Sequence, residues 1–227
     1  MYSNFRNEVK VFLAQNLMRF ENLELSAIQT QQLLDNKVQA RLCLDFDDVT
    51  VIKNVINTLD FVEKLDFNKT KIDLNLYKKL NEMLSFNQSL YPGQLREGDH
   101  FAYIPSIEDP IKPASPQKIQ EQLDILNTLE NNSYKDHVSH VFCNLSKMQP
   151  FYDGNKRSTL FLCNCALQKQ NFDMLIIKND IYPDFELSLT RFYSRNDCEI
   201  FDFLKDQCFH KNKELSLKTN SNHKIFR

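Results

Sequence analysis

Apolar residues return every three to four positions along most of the chain, the period of helices with one face turned inward. Phe5, Val9, Phe12, Leu13 and Leu17 share one stripe and predict a first helix over about residues 4–20. Ser26 and Gln29 have capping-box spacing and predict a second helix from Ser26 to about Asn36. Val49, Ile52, Ile56, Leu59 and Val62 mark a long third helix, and Leu76, Leu80, Met83 and Leu84 a fourth. Ser115 before Pro116 is an N-cap and first-turn pair for a helix carrying Ile119, Leu123, Leu126 and Leu129. Val138, Val141, Phe142, Leu145 and Met148 give another. Residues of about 156–169 are apolar on most sides, the pattern of a buried central helix. Asn196 and Glu199 then cap a last helix holding Ile200, Phe203 and Leu204. The fold class expected is all-α, a helical bundle.

One stretch breaks the period. Tyr91-Pro92-Gly93-Gln94 and Gly98-Asp99 read as turns, with short runs Leu95-Arg96 and Phe101-Ala102-Tyr103-Ile104 beside them. This predicts a small β-hairpin flap, returned to the helices by the Pro-rich stretch from Pro105 to Pro116. Beyond about Lys211 the chain is rich in Lys, Asn and Ser, as frayed ends are. Three regions follow: N-terminal helices over 1–45, a core over 46–210 and a flexible tail over 211–227. No internal repeat is present.

Composition narrows the function classes. A net charge of -2 over 227 residues gives no electrostatic reason for a nucleic-acid or acidic-membrane partner. Apolar runs such as Leu160-Phe161-Leu162-Cys163 fall far below the ~20 residues of a membrane span. Met1 to Arg6 lacks the layout of a secretory signal. Cysteines at 43, 143, 163, 165, 198 and 208 read as reduced core residues of a cytoplasmic protein. Cys163 and Cys165 face apart on a helix, and no second His or Cys pair completes a zinc set.

Chemistry concentrates in Gln149-Pro150-Phe151-Tyr152-Asp153-Gly154-Asn155-Lys156-Arg157, between two helical stretches. Gly154 and Asn155 tolerate positive φ, so backbone N–H groups can converge there as an anion-binding nest. The nest opens into the positive end of the buried helix. Lys156 and Arg157 add cations, and Asp153 is a carboxylate suited to hold Mg²⁺ against phosphates. The plain alternative is a helix–loop–helix connection with Asp-Gly as its turn. Two cations on the first turn of a helix run against its dipole unless an anion is present, and that favours the anion site.

These residues resemble the Fic family signature His-x-Phe-x-(Asp/Glu)-Gly-Asn-(Gly/Lys)-Arg, matching at Phe151, Asp153, Gly154, Asn155, Lys156 and Arg157. Pro92-Gly93, Arg96 and the flap ending at Pro105 look like the family's Pro-Gly-x-x-Arg and substrate-holding hairpin. Tyr193 through Leu204 resembles its closing helices, and Glu21-Asn22 resembles the end of its inhibitory motif. The resemblance implies a Fic-type bundle that binds ATP and Mg²⁺ and moves AMP onto a Tyr, Thr or Ser hydroxyl of a target protein. It gives Asp153 to the metal, Gly154, Asn155 and Lys156 to phosphate, Arg157 to the β/γ end, and Phe151 to anchoring the loop. Phe101, Ala102, Tyr103 and Ile104 become the substrate flap. A homodimer stays open.

Three departures change what the resemblance implies. Gln149 stands where the motif has its catalytic His, and a carboxamide accepts no proton near pH 7. Loss of a general base costs about 10²–10⁴ in rate, so the transferase is expected to be weak or inactive. His140 lies roughly 13 Å back along a helix and His100 in the flap, so neither is a ready substitute. Leu160 replaces the second Arg of Arg-x-x-Arg, the usual partner of the inhibitory Glu, and Leu17 replaces the Ser or Thr of the inhibitory motif. Glu21 is therefore either a surface carboxylate or a partner for Arg157, the remaining cation. Two other functions compete: Doc-like phosphotransfer, suggested by Lys156, and a nucleotide-independent binding module using the flap.

Overall fold

The computed structural model describes residues 4–35, 44–105, 107–211 and 215. Cys43, Asn36 and almost all of the 211–227 region lie outside the described residues. Nine helices appear among the described residues: α1 (Asn7–Arg19), α2 (Ala27–Leu34), α3 (Phe46–Glu63), α4 (Leu74–Leu84), α5 (Pro116–Asn127), α6 (Tyr134–Met148), α7 (Asn155–Lys169), α8 (Tyr182–Arg195) and α9 (Glu199–Gln207). None is long and apolar enough to cross a membrane.

Short polar side chains start several of these helices by satisfying N–H groups that a helix leaves open. Ser26 and Gln29 form the expected reciprocal box on α2, and Asp45 with Asp48 forms a second one on α3. Asp73 accepts from Leu76 N at the start of α4, and Ser115 from Lys118 N at the start of α5. Helix α7 is the centre of the bundle. Twelve of its fifteen residues are buried, which is why its sequence shows no polar face. Helices α4 and α6 flank it, and α1 packs on it as well.

The last third of the chain differs from the pattern expected. Asn196 does not cap the last helix; it ends α8 in the left-handed conformation, φ +56°, donating its N–H to Phe192 O. Asp197 meets the Glu199 N–H instead. The regular strand pairing also lies elsewhere than the flap. Strands β1 (Met174–Leu175) and β2 (Phe209–His210) pair antiparallel with Met174 opposite His210. Side-chain amides complete this short ladder. Asn164 bonds both backbone groups of Leu175, and Asn16 bonds both of Ile177.

The flap itself doubles back through a single rung. Ala102 and Ile111 exchange both backbone hydrogen bonds, at 2.9 and 2.8 Å. Pro105, Pro110 and Pro113 bring no N–H to continue the ladder, so the hairpin stops at one pair.

Candidate active site

Helix α6 ends at Met148, and Gln149 turns the chain in the left-handed conformation, φ +47° and ψ +58°. Phe151 then drops into the core. Its ring meets Tyr77 edge-to-face at 4.7 Å, and the Tyr77 hydroxyl bonds Thr159 Oγ1 on α7 at 2.6 Å. The Asn155 side chain spans the loop, accepting from Phe151 N at 2.8 Å and donating to Phe151 O at 2.9 Å. Asp153 Oδ1 accepts from Gly154 N at 2.6 Å. Gly154, φ +69°, has room for no side chain without crowding: a Cβ there would lie 3.3 Å from Asn81 Nδ2 and 3.4 Å from Ser85 Cβ. No side chain caps α7, so its first-turn N–H groups stay directed outward at the positive end of the dipole.

The remaining polar groups sort themselves around this helix start. Gln149 Oε1 accepts from Asn155 Nδ2 at 2.9 Å, and Gln149 Nε2 donates to Ser146 O at 2.6 Å. Arg157 is fully buried, with Nη1 donating to Leu84 O and Gln88 Oε1, each at 2.7 Å. Its Nη2 lies 3.5 Å from Asp153 Oδ2, and its Nε lies 2.8 Å from Glu21 Oε1 in an ion pair that is not a well-aligned hydrogen bond. Glu21 thus reaches Arg157 and is not a free surface carboxylate. Burial holds its pKa above the usual carboxylate value, against the pull of Arg157. One of the two cations at this helix start is met from within: the protein's own carboxylates, Glu21 and Asp153, face Arg157. The Lys156 ammonium lies 5.3 Å from the centre of the Phe20 ring, and burial lowers its pKa. Leu160 is buried in the core.

The flap lies against this loop. Leu95 bridges Phe151, and Arg96 N donates to Pro150 O at 2.8 Å. The buried Arg96 guanidinium then fans over four carbonyls: Gln149 O at 2.6 Å, His100 O at 2.7 Å, Ile111 O at 3.0 Å and Met148 O at 3.2 Å. Phe101 and Tyr103 are exposed, Tyr103 to 78%, whereas Ala102 and Ile104 are half-buried. With the Ala102 groups facing Ile111, strand geometry turns the Tyr103 backbone toward the outer edge. His100 rests on the Tyr152 ring, centroids 5.4 Å apart, with Nδ1 bonded to Glu97 O. His140 stacks on Phe201, which takes it away from the loop.

Asn81 escapes the sequence reading. Buried on α4, it donates to Asp153 O at 2.8 Å and accepts from Gly93 N at 3.0 Å, fastening the loop and the turn before the flap to one side chain. The available signal was an amide set inside the apolar stripe of Tyr77, Leu80 and Leu84.

Residues 71–167 match the family model described as Fic/DOC family. The chain superposes on a Fic domain containing signaling protein from Bacteroides thetaiotaomicron VPI-5482 with a TM-score of 0.65 at 16% identity, covering 88% of this chain and 83% of that one. Fic-1 from C. elegans superposes with a TM-score of 0.64 at 18% identity, covering 91% of this chain and 60% of that chain. At these identities the likeness speaks for the fold. A curated relative, Protein PFC0760c of Plasmodium falciparum (isolate 3D7), is 26% identical over 195 residues. That alignment takes in 81% of this chain and only 6% of the relative's length. The family match thus runs from the residues before α4 through most of α7, and the bundle has the fold of solved Fic domains.

Proposed function

We propose that this domain binds ATP at the start of α7 and transfers AMP to a protein hydroxyl, in a form attenuated by Gln149 and Glu21. The observation that carries the proposal is the uncapped α7 N-terminus, entered through Gly154 at φ +69° and lying beside the flap. Such a helix start takes phosphate oxygens on its open N–H groups. Asp153 suits a magnesium ion. One oxygen accepts from Gly154 N, the other has only a long contact to Arg157, and the side chain stays 42% exposed. An ion held by this one carboxylate would take its other oxygens from phosphates and water. The ion would supply charge neutralisation at the phosphates.

In the transfer, the target oxygen bonds to the α-phosphorus and the bond to pyrophosphate breaks. Gln149 orients the incoming hydroxyl through its amide but takes no proton, which passes to solvent. Glu21 occupies Arg157 from the side, and this competes with the terminal phosphates for that guanidinium. The extended outer edge at Tyr103 holds the target segment by main-chain hydrogen bonds.

Calorimetric titration with ATP, with and without Mg²⁺, tests the binding half. Transfer from α-labelled ATP to lysate proteins tests the chemistry. Binding without transfer leaves the flap as a binding module under nucleotide control. Absence of binding up to millimolar ATP removes the nucleotide reading altogether. Lys156, the ground for Doc-like phosphotransfer, lies over the Phe20 ring, and the mass added to a target, AMP or phosphate, separates that alternative.

A further inference from the structure

Behind the flap, on the side of α5 and α6, lies an open cavity of about 590 Å³. Its apolar wall includes Ile111 and Pro113 from the flap's return arm and Met148 from the end of α6. Lys112, Lys118 and Lys147 also line it, and among the described residues no Asp or Glu does. Lys112 and Lys118 are exposed and make no ion pair with a described residue. The Lys147 ammonium meets only neutral groups among its contacts with described residues: Phe192 O at 3.0 Å, Asn196 Oδ1 at 2.6 Å and the Phe192 ring, centroid 4.9 Å away. Three cations thus border one apolar hollow in a chain whose net charge is -2. Like charges gathered without carboxylates repel one another, and an incoming anion relieves that repulsion.

We propose that this cavity is a second ligand site, taking a small amphipathic anion: a carboxylate, sulfonate or phosphate head on a hydrocarbon body. The volume lies within the usual range of ligand cavities, about 300–1,000 Å³. The body packs on Ile111, Pro113 and Met148, and the head meets the lysines at the rim. The site is tied to the α7 loop through Arg96. That guanidinium holds Ile111 O and Met148 O, which belong to the cavity wall, and Gln149 O, which belongs to the loop. A ligand that spreads the wall therefore pulls on the carbonyl of Gln149.

Anilinonaphthalene sulfonate is the fluorescent probe, with octanoate, octylamine and octanol as competitors. The expected result is saturable probe fluorescence displaced by octanoate, much less by octanol and not by octylamine. Saturating ATP with Mg²⁺ should leave the probe bound. Lys112→Glu with Lys118→Glu should weaken probe binding by about tenfold or more, a loss of about 1.4 kcal/mol per decade. Since both lysines are exposed, circular dichroism should report an unchanged fold. As a reading independent of those variants, methyl NMR of methionine-labelled native protein should show the Met148 signal shifting with octanoate, assigned by Met148→Leu. Equal displacement by octylamine, indifference to the lysine changes or an unmoved Met148 methyl overturns the proposal. Displacement by ATP overturns it too, since the cavity would then be part of the nucleotide site. None of these outcomes depends on AMP transfer.

Discussion

Glu21, two residues beyond the end of α1, lies 2.8 Å from the buried guanidinium of Arg157 on α7. The two ends of this contact belong to parts of the sequence more than a hundred residues apart, and it closes one side of the α7 helix start. Under the proposed function it competes with ATP. Glu21→Gln keeps the volume and an acceptor oxygen but removes the charge, and should raise ATP affinity by about tenfold. Calorimetry of both proteins at one ionic strength measures it. Unchanged affinity would make the pair purely structural.

The same residue sets a pH dependence. Burial raises the Glu21 pKa above its usual value, so the folded protein holds this proton more tightly than the unfolded chain does. The stability it contributes is fully present below the unfolded value and is lost as pH rises through the folded one. In that window, starting at the ordinary carboxylate value and extending upward, native stability should fall with rising pH and ATP affinity should fall with it. Glu21→Gln should flatten both slopes. Urea titrations and calorimetry across mildly acidic to neutral pH give the comparison.

Arg96 makes its four carbonyl contacts from a nearly fully buried position, so its loss strips donors from four acceptors at once. Arg96→Ala should cost about 3 kcal/mol, counted from the charged hydrogen bonds and discounted for non-additivity. Arg96→Lys should recover little, because an ammonium cannot match a planar fork. The urea midpoint reports the cost. Faster amide exchange at Ala102 and Ile111 would show that the flap has come loose, and unchanged exchange would deny Arg96 that role.

The α-helical class and the turn that opens α7 were legible because both are local. A 3.6-residue period needs only neighbours in sequence, and an Asp-Gly-Asn turn before an apolar stretch marks the α7 start wherever the rest of the chain goes. Capping at Ser26 and Ser115 was readable for the same reason. The misses were relations between distant elements. Asn196 looked like an N-cap, since its type suits both ends of a helix; only the extent of α8 shows that it closes one. The strands at Met174 and Phe209 are two residues each and are finished by amides from α1 and α7, so no periodicity announces them. Whether Glu21 met Arg157 depended on how α1 packs on α7. Asn81 lay hidden in an apolar stripe because its partners, Asp153 and Gly93, come from loops on either side of the flap and helices.

Two glycines at positive φ give a paired test of the loop geometry. Gly154→Ala adds a Cβ 3.3 Å from Asn81 Nδ2 in a left-handed conformation and should cost several kcal/mol, while also distorting the helix start. Gly98, φ +58°, has nothing within 4 Å, so Gly98→Ala should cost only the backbone term of about 1 kcal/mol. Urea midpoints for the two variants should separate clearly. ATP binding should be lost in the first alone.

Gln149→His tests whether the domain is a catalyst short of one group or a scaffold. The position accepts the exchange: histidine is among the residues tolerated at positive φ, and the φ of +47° is already imposed by the turn after α6. An imidazole can keep one of the two present contacts, accepting from Asn155 Nδ2 or donating to Ser146 O, while its other nitrogen faces the α7 start. What it adds is a group that takes a proton near neutral pH. Restoring a general base should raise transfer of AMP by about 10²–10⁴, or about 3–5 kcal/mol of barrier. Label transfer from α-labelled ATP to lysate proteins, run for both proteins beside Gln149→His with Glu21→Gln, reads the gain and the brake separately. If the histidine variant binds ATP and still transfers nothing even with Glu21 replaced, more than the base is missing. Leu160, buried where the resembled motif carries its second Arg, is then the next position to restore.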